Sequence, residues 1–284
     1  MIQSLKTIKN RIRSIENTRK VTAAMELISV AKLNRIERPL ILLRPYVAGL
    51  QKLTQGLIAG REISGQPFLE TGRAADKIAL CVITSDSGLC GSYNNNIIRL
   101  AEEFIRRRGQ GKVTLVCLGK KGFNYFRKKG MAIEEDFQGT NGRYSEKLCQ
   151  DLNSKLQEMF LSGKAAQVHV AYTHFKTALV HIPASEKFLN IDRLSGAKKD
   201  HILEPGRQAL LAELVPKYLY MKLKLWILEA FTAEHSARTM AMKTATDNAQ
   251  DLLQGLVLMR NKVRQANITQ EIMEIISSSE ALKG

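Results

Sequence analysis

The sequence predicts an α/β fold in which a long antiparallel coiled coil, formed by the two chain ends, carries a central Rossmann-like α/β domain. Three observations lead there. Apolar residues recur at three- and four-residue steps along both ends, the pattern of amphipathic helices. Between residues 76 and 200, short β-rich runs alternate with helical segments, which argues for a parallel or mostly parallel sheet covered by helices. Aromatic residues make up 6% of the chain and hydrophobic residues 44%, a balance suited to helices packed through Leu, Ile, Met and Ala.

Residues 1–58 form the first helical segment. Leu5, Ile8, Ile12 and Ile15 keep a 3-4-3 spacing that continues through Val21, Met25, Ile28, Leu33 and Ile36. Pro39 and Pro45 are expected to kink or restart it, because each removes a backbone donor and crowds the preceding turn. Residues 59–75 change to Gly, Ser, Pro and charge (Gly60, Ser64, Pro67, Gly72) and read as a linker.

The α/β domain is expected over 76–206. Lys77–Thr84, Lys112–Leu118 and Gln167–His174 read as strands, with helices near Asn95–Arg108 and Ser145–Leu161 between them. Leu179–Leu189 adds a strand near the edge, and Asn190–Gly206 is a polar second connector. The last segment, 207–284, repeats the helical pattern from Leu210 and Leu214 to Ile268, Ile272 and Ile275, with Pro216 near its start. About 74 residues at ~1.5 Å each would span roughly 110 Å. A helix of that length needs a partner helix or a sleeve.

Folding the two ends together satisfies both stripes. If residue 58 lies level with residue 210, facing positions sum to about 268. Met25 then falls level with about Lys243, and roughly the last seventeen residues run beyond the N-terminus as a lone apolar helix that needs an external cover.

Net charge is +16, and its placement is informative. Residues 1–44 hold ten Lys/Arg against three Glu, whereas 210–284 hold nine against eight Asp/Glu. The basic excess implies an acidic partner: nucleic acid, anionic lipid or an acidic protein surface. On the N-terminal helix the cations are interspersed with a regular apolar stripe and few aromatics, which favours a coiled-coil or docking face over a nucleic-acid arm. No apolar run is long enough to cross a bilayer, and Lys6, Lys9, Arg11 and Arg13 interrupt any signal peptide, so a soluble chain is expected. Cys81, Cys90, Cys117 and Cys149 form no CxxC pair and read as buried free thiols.

The glycine-bearing turn Thr84–Ser92 between strand and helix invites a phosphate, yet it is neither GxxxxGK[ST] nor GxGxxG and reads as structural. Asp86 and Cys90 have no neighbouring histidine to make a base and nucleophile. Of the five histidines (His169, His174, His181, His201, His235), none has i,i+4 metal spacing; His169 and His174 should face opposite sides of one strand. No cofactor and no metal site are expected. Glu234, His235 and Arg238, with Asp247 and Asn248, read either as an exposed helix face with i,i+4 pairing or as a surface that locks onto a partner.

Seven stretches spread over the chain resemble the gamma subunit family of F-type ATP synthases: Ile8–Met25, Ala31–Leu33, Arg44–Tyr46, Thr84–Gly91, Glu234–Arg238, Ala245–Asn248 and Arg264–Glu271. The resemblance implies a non-catalytic rotor that couples ion flow through a c-ring to ATP synthesis or hydrolysis at beta-subunit sites. It also implies alpha, beta, epsilon and c-ring partners, no nucleic acid, and a peripheral place on the cytoplasmic face of a bacterial inner membrane. Carried over by position, Met25 and Arg238 lie near a beta subunit's acidic loop, while Arg264, Gln265, Thr269 and Glu271 make a second contact level in the alpha/beta hexamer. Ser87 stands where the family commonly has arginine, Ala23 where it commonly has lysine, and the tail from Ser277 is more polar than usual.

Overall fold

The computed structural model describes residues 4–58, 66–69, 77–191, 204 and 206–281. Most of the two expected connectors, His201 and the last three residues of the tail lie outside this set. The elements run α1 (Leu5–Ile58), β1 (Ile78–Ile83), α2 (Tyr93–Arg108), β2 (Val113–Leu118), α3 (Lys120–Lys128), β3 (Ile133–Phe137), α4 (Glu146–Leu161), β4 (Gln167–Phe175), β5 (His181–Leu189) and α5 (Arg207–Ala281). They form two compact units: a helical unit, Met1–Ile28 with Thr239–Gly284, and a sheet unit, Ser29–Arg238. The division falls inside both long helices.

The prolines do not end either helix. Pro39 and Pro45 lie within α1 and Pro216 within α5. Each is exposed, as are Arg35, Ile41 and Ala212 four residues before them, so the carbonyls left without a helical donor face water. Burial of Ile36, Leu40 and Val47 on the opposite face of α1 offsets the proline cost of about 3 kcal/mol each.

In the helical unit Ile8, Ile12 and Leu253 form a small core with Ile15, Leu256, Val257 and Val263 packed on it. Polar contacts fix the register. Thr246 donates to Thr22 at 2.8 Å and Arg19 donates to Gln250, pairs whose position numbers sum to 268 and 269. The antiparallel pairing rule read from the sequence therefore holds within this unit. From Arg264 to Ala281 every residue is exposed, including Ile268, Ile272, Met273, Ile275 and Ile276.

The sheet unit is built on five strands in the order β3-β2-β1-β4-β5, parallel except for the edge strand β5. β1 is buried along its whole length, as a central parallel strand covered on both faces must be. Its odd positions Ala79, Cys81 and Ile83 face a core shared with α4, α5 and part of α1. Its even positions Leu80 and Val82 face α2 and α3. His169 lies against Phe104 of α2 at 4.9 Å, and His174 binds Glu229 of α5, so the two histidines do face opposite ways. All four cysteines are buried and free.

Two elements were not foreseen. β3 reads Ile-Glu-Glu-Asp-Phe, too acidic to signal a strand, and its middle is exposed at the sheet edge. α3 is a short basic helix between β2 and β3. The expected linker also contains an anchored piece: residues 66–69 form a turn in which Leu69 is fully buried, Phe68 stacks on Phe160, and Ile191 N–H donates to the Phe68 carbonyl.

The end of β2 leaves no room for a side chain. Gly119 has φ +99°, and a Cβ there would stand 2.1 Å from the Thr84 carbonyl oxygen. Gly119→Ala is expected to destabilise the sheet unit by about 3 kcal/mol, combining left-handed strain with overpacking against backbone. Urea unfolding monitored by circular dichroism measures it, and a loss below ~1 kcal/mol would contradict this account.

Candidate partner-binding site

α5 runs alongside β4 in the same direction. Lys222 reaches the Lys187 carbonyl, Glu229 binds His174, and Ser236 donates to the Ala178 carbonyl at 2.8 Å. The helix thus crosses the edge of the sheet where the strands end. In doubly wound folds that edge, beside the point where strand order reverses, is the usual ligand crevice. Here the reversal lies between β1 and β4, and the crevice is filled by side chains of α5.

Arg238 is the centre of that filling. It donates to the Ser87 hydroxyl at 3.0 Å, the Ser87 carbonyl at 3.3 Å and the Gly88 carbonyl at 3.4 Å. It pairs with Glu234 at 2.9 Å. His235 donates from Nε2 to the Gly142 carbonyl at 2.9 Å and accepts at Nδ1 from Arg238. Gly142, at φ +65°, has to be glycine, because a Cβ would lie 2.6 Å from the His235 ring. Asp86 completes the set from below, accepting from the Lys120 and Asn141 backbones and the Thr140 hydroxyl. Lys32 of α1 donates to the Asn141 carbonyl at 3.1 Å. One helix, three loops and α1 are tied together by charge-assisted bonds, buried at Glu234, His235 and Arg238 and open to water at Asp86, Lys120 and Asn141.

The expected exposed face at Glu234, His235 and Arg238 is therefore corrected. Their relative exposures are 1%, 0% and 6%, although the i,i+4 pairing is present. In the Ser85 to Ser92 turn, Ser85 and Cys90 are buried, while Ser87, Leu89, Gly91 and Ser92 are exposed. Ser85 N–H goes to Asn94, Cys90 bonds Asn94, and the carbonyls of Ser87 and Gly88 go to a guanidinium.

A second ion pair, with Glu229 buried and Arg44 half-buried, lies one to two turns earlier and was missed from sequence. Arg44 of α1 pairs with Glu229 of α5 at 3.0 Å and donates to the Phe175 carbonyl, while His174 binds the other Glu229 oxygen. The signal was the Arg44–Tyr46 stretch, whose charge has a structural use.

The remaining carried-over residues belong to the helical unit. Met25 is half-buried on α1, and Arg264, Gln265, Thr269 and Glu271 are exposed on α5. Thr269 donates to the Gln265 carbonyl at 2.9 Å, an intrahelical bond that leaves the carboxylate of Glu271 and the Gln265 amide facing out. Asp247 and Asn248 are exposed. The structure brings Arg264 to Glu271 onto two successive turns.

Burial pushes the Glu234 carboxyl up to about 7 against the opposing pull of Arg238, and pushes the His235 ring down to about 4. Folding thus favours protonated Glu234, whose contribution is complete below pH 4.5 and lost as pH rises through 7. Folding favours neutral His235, whose contribution is complete above pH 6.5 and lost as pH falls through 4. Each interval corresponds to about 3 kcal/mol, with opposite sign, so the two offset one another between them. Glu234→Gln removes one side of the balance. Relative to the unaltered chain, this variant is expected to gain about 2 kcal/mol on going from pH 5 to pH 8, read from urea midpoints at both; no change with pH would refute the buried-carboxyl assignment.

A family model described as "ATP synthase" matches residues 4–282. The chain is 38% identical to the ATP synthase gamma chain of Anaeromyxobacter sp. (strain Fw109-5) and 36% identical to that of Chlorobium phaeobacteroides (strain BS1), covering 99% of both chains in each case. Among solved structures it resembles a chain of the Euglena gracilis mitochondrial ATP synthase (OSCP/F1/c-ring, rotational state 3), with TM-score 0.68 and 16% identity. That match covers 98% of this chain and 94% of the other. A chain of the Euglena rotor in rotational state 1 gives TM-score 0.64 at 15% identity, covering 93% and 98%.

Proposed function

This chain belongs to the ATP synthase gamma chain family, and we propose that its helical unit is gripped by an alternating hexamer of alpha and beta subunits while its sheet unit carries the epsilon subunit and the c-ring. It is the non-catalytic central-stalk subunit; bond chemistry belongs to the beta subunits. Three like sites hold different affinities only if something asymmetric touches them differently, and a single off-axis shaft does that. Turning it presents each beta subunit in succession with other contacts, which couples ion flow to nucleotide binding and release. On this reading the chain sits at the cytoplasmic face of a bacterial inner membrane and reaches it through the c-ring. No described helix is long and apolar enough to cross a membrane.

The observation that carries the reading is the bare end of α5. Ile268, Ile272, Met273, Ile275 and Ile276 are between 48% and 68% exposed, a run of apolar surface that water penalises and a hydrophobic sleeve removes. Arg264, Gln265, Thr269 and Glu271 supply hydrogen-bonding groups at the base of that run, and Met25 a half-buried apolar contact lower down. Arg238 acts from inside, holding α5 in the sheet unit so that force on the helix reaches the sheet.

Co-expression with alpha- and beta-type subunits of the same organism tests this. One copy of the chain is expected per six large subunits, with steady ATPase activity. Ile272→Asp with Ile275→Asp is expected to weaken retention of the chain by on the order of 100-fold, since two buried isoleucines are lost. A chain that elutes alone and leaves the hexamer's activity unchanged would overturn the reading and restore the nucleic-acid alternative for the basic end of α1.

A further inference from the structure

We propose that the sheet unit carries, at the edge where its strands begin, a basic cavity that binds the phosphate headgroups of an anionic lipid surface. α2 and α3 run against the strands, so their last turns share this edge. They end in Arg106, Arg107 and Arg108, and in Arg127 and Lys128; Lys112 and Lys129 follow in the adjoining turns, and all seven are exposed. Between the two helix ends lies an open cavity of about 740 Å³, with Arg99, Arg106 and Lys129 on its walls and Phe126 and Met131 on its floor.

Helix capping does not account for this much charge. Two helix C-termini together present about one negative elementary charge. The only carboxylates lining the cavity are Glu102 and Glu103. Glu102 is bound to Lys129 and to the Tyr125 hydroxyl, and Glu103 lies 3.9 Å from Arg107. On the cavity walls three cations, Arg99, Arg106 and Lys129, stand against these two carboxylates, and Arg107, Arg108, Arg127 and Lys128 add exposed positive charge around it.

The form of the site favours a fluid array of phosphates over a folded acidic protein. The Arg108 and Arg127 guanidinium groups lie over the Phe104 and Phe123 rings, 5.8 and 5.0 Å from the ring centroids, cation–π contacts that hold these charges at the exposed edge without engaging a carboxylate. The cations spread over two helix ends rather than converging on one fixed acceptor, as juxtamembrane basic clusters do on anionic leaflets. The edge is also the one opposite the Arg238 cluster, since α5 leaves the sheet where the strands end. The proposal rests on the central-stalk reading for bringing a membrane within reach, and on the charge and cavity for the binding.

The full-length chain sedimented with phosphatidylcholine vesicles, with and without about 30% phosphatidylglycerol, tests it. Association at ~0.1 M salt is expected to be at least roughly tenfold stronger with the anionic lipid and to vanish near ~0.5 M. The triple variant Arg106→Gln, Arg107→Gln, Lys128→Gln should lose about tenfold while unfolding at the same temperature. Lys9→Gln, Arg11→Gln, Arg13→Gln on α1 should bind as the unaltered chain does. Equal binding to both vesicle types, loss with the α1 variant instead, or displacement by millimolar glycerol phosphate would each overturn the proposal. Co-purification with the hexamer is a separate readout, so either idea can fail without the other.

Discussion

A helix of 75 residues is stable in water only where something covers its apolar stripe, and the rest of this molecule follows from how α5 meets that demand. Its first thirty or so residues lie on a β-sheet, where Leu211, Val215, Leu219, Leu223 and Ile227 are fully buried. Its next stretch is covered by α1, in a register fixed by Thr22 with Thr246 and Arg19 with Gln250. Its last eighteen described residues are all exposed, with no cover among the described residues. Hydrophobic burial supplies most of a helix's stability in proteins, with intrinsic propensity a weak second. The three stretches therefore differ in what holds them helical.

The sheet unit also departs from what its topology suggests. A doubly wound sheet offers a crevice where strand order reverses, and folds of this kind fill it with a cofactor. Here the occupant is part of the same chain: Arg238, Glu234 and His235, buried among loops that follow β1 and β3. A buried pair such as Arg238 with Glu234 adds little net stability once desolvation is counted. Its directional bonds fix which turn of α5 meets which loop, a role that apolar packing, which tolerates sliding, performs poorly. Arg44 with Glu229 and His174 repeats the device further down the helix.

Much of this was legible. The 3-4 spacing gave both helices, the alternation of β-rich runs and helical segments gave the parallel sheet, and the facing rule gave a register that the Thr22 and Thr246 contact matches. What escaped did so for physical reasons. β3 is an edge strand with Glu134, Glu135 and Asp136 in water, so it lacks an apolar signature. Glu234, His235 and Arg238 looked like surface because charged residues nearly always are; only the loops they bind, far away in sequence, make burial tolerable. The prolines appeared to be breaks, yet each freed carbonyl belongs to a solvent-facing residue. Of the residues that the resemblance carries over as contacts, Arg264, Gln265, Thr269 and Glu271 are exposed as a docking role requires, whereas Arg238 is spoken for internally.

The bare end of α5 has a bearing on how the cell keeps count of this subunit. A chain made in excess of its partners keeps a ladder of isoleucines in water on a helix that nothing clamps, and such a helix frays readily. Chaperones and proteases act on exposed apolar segments that open in this way, so a surplus copy would be open to them where an assembled one is shielded. The same surface that would bind the complex together would thereby tie the lifetime of the unassembled chain to the supply of its partners.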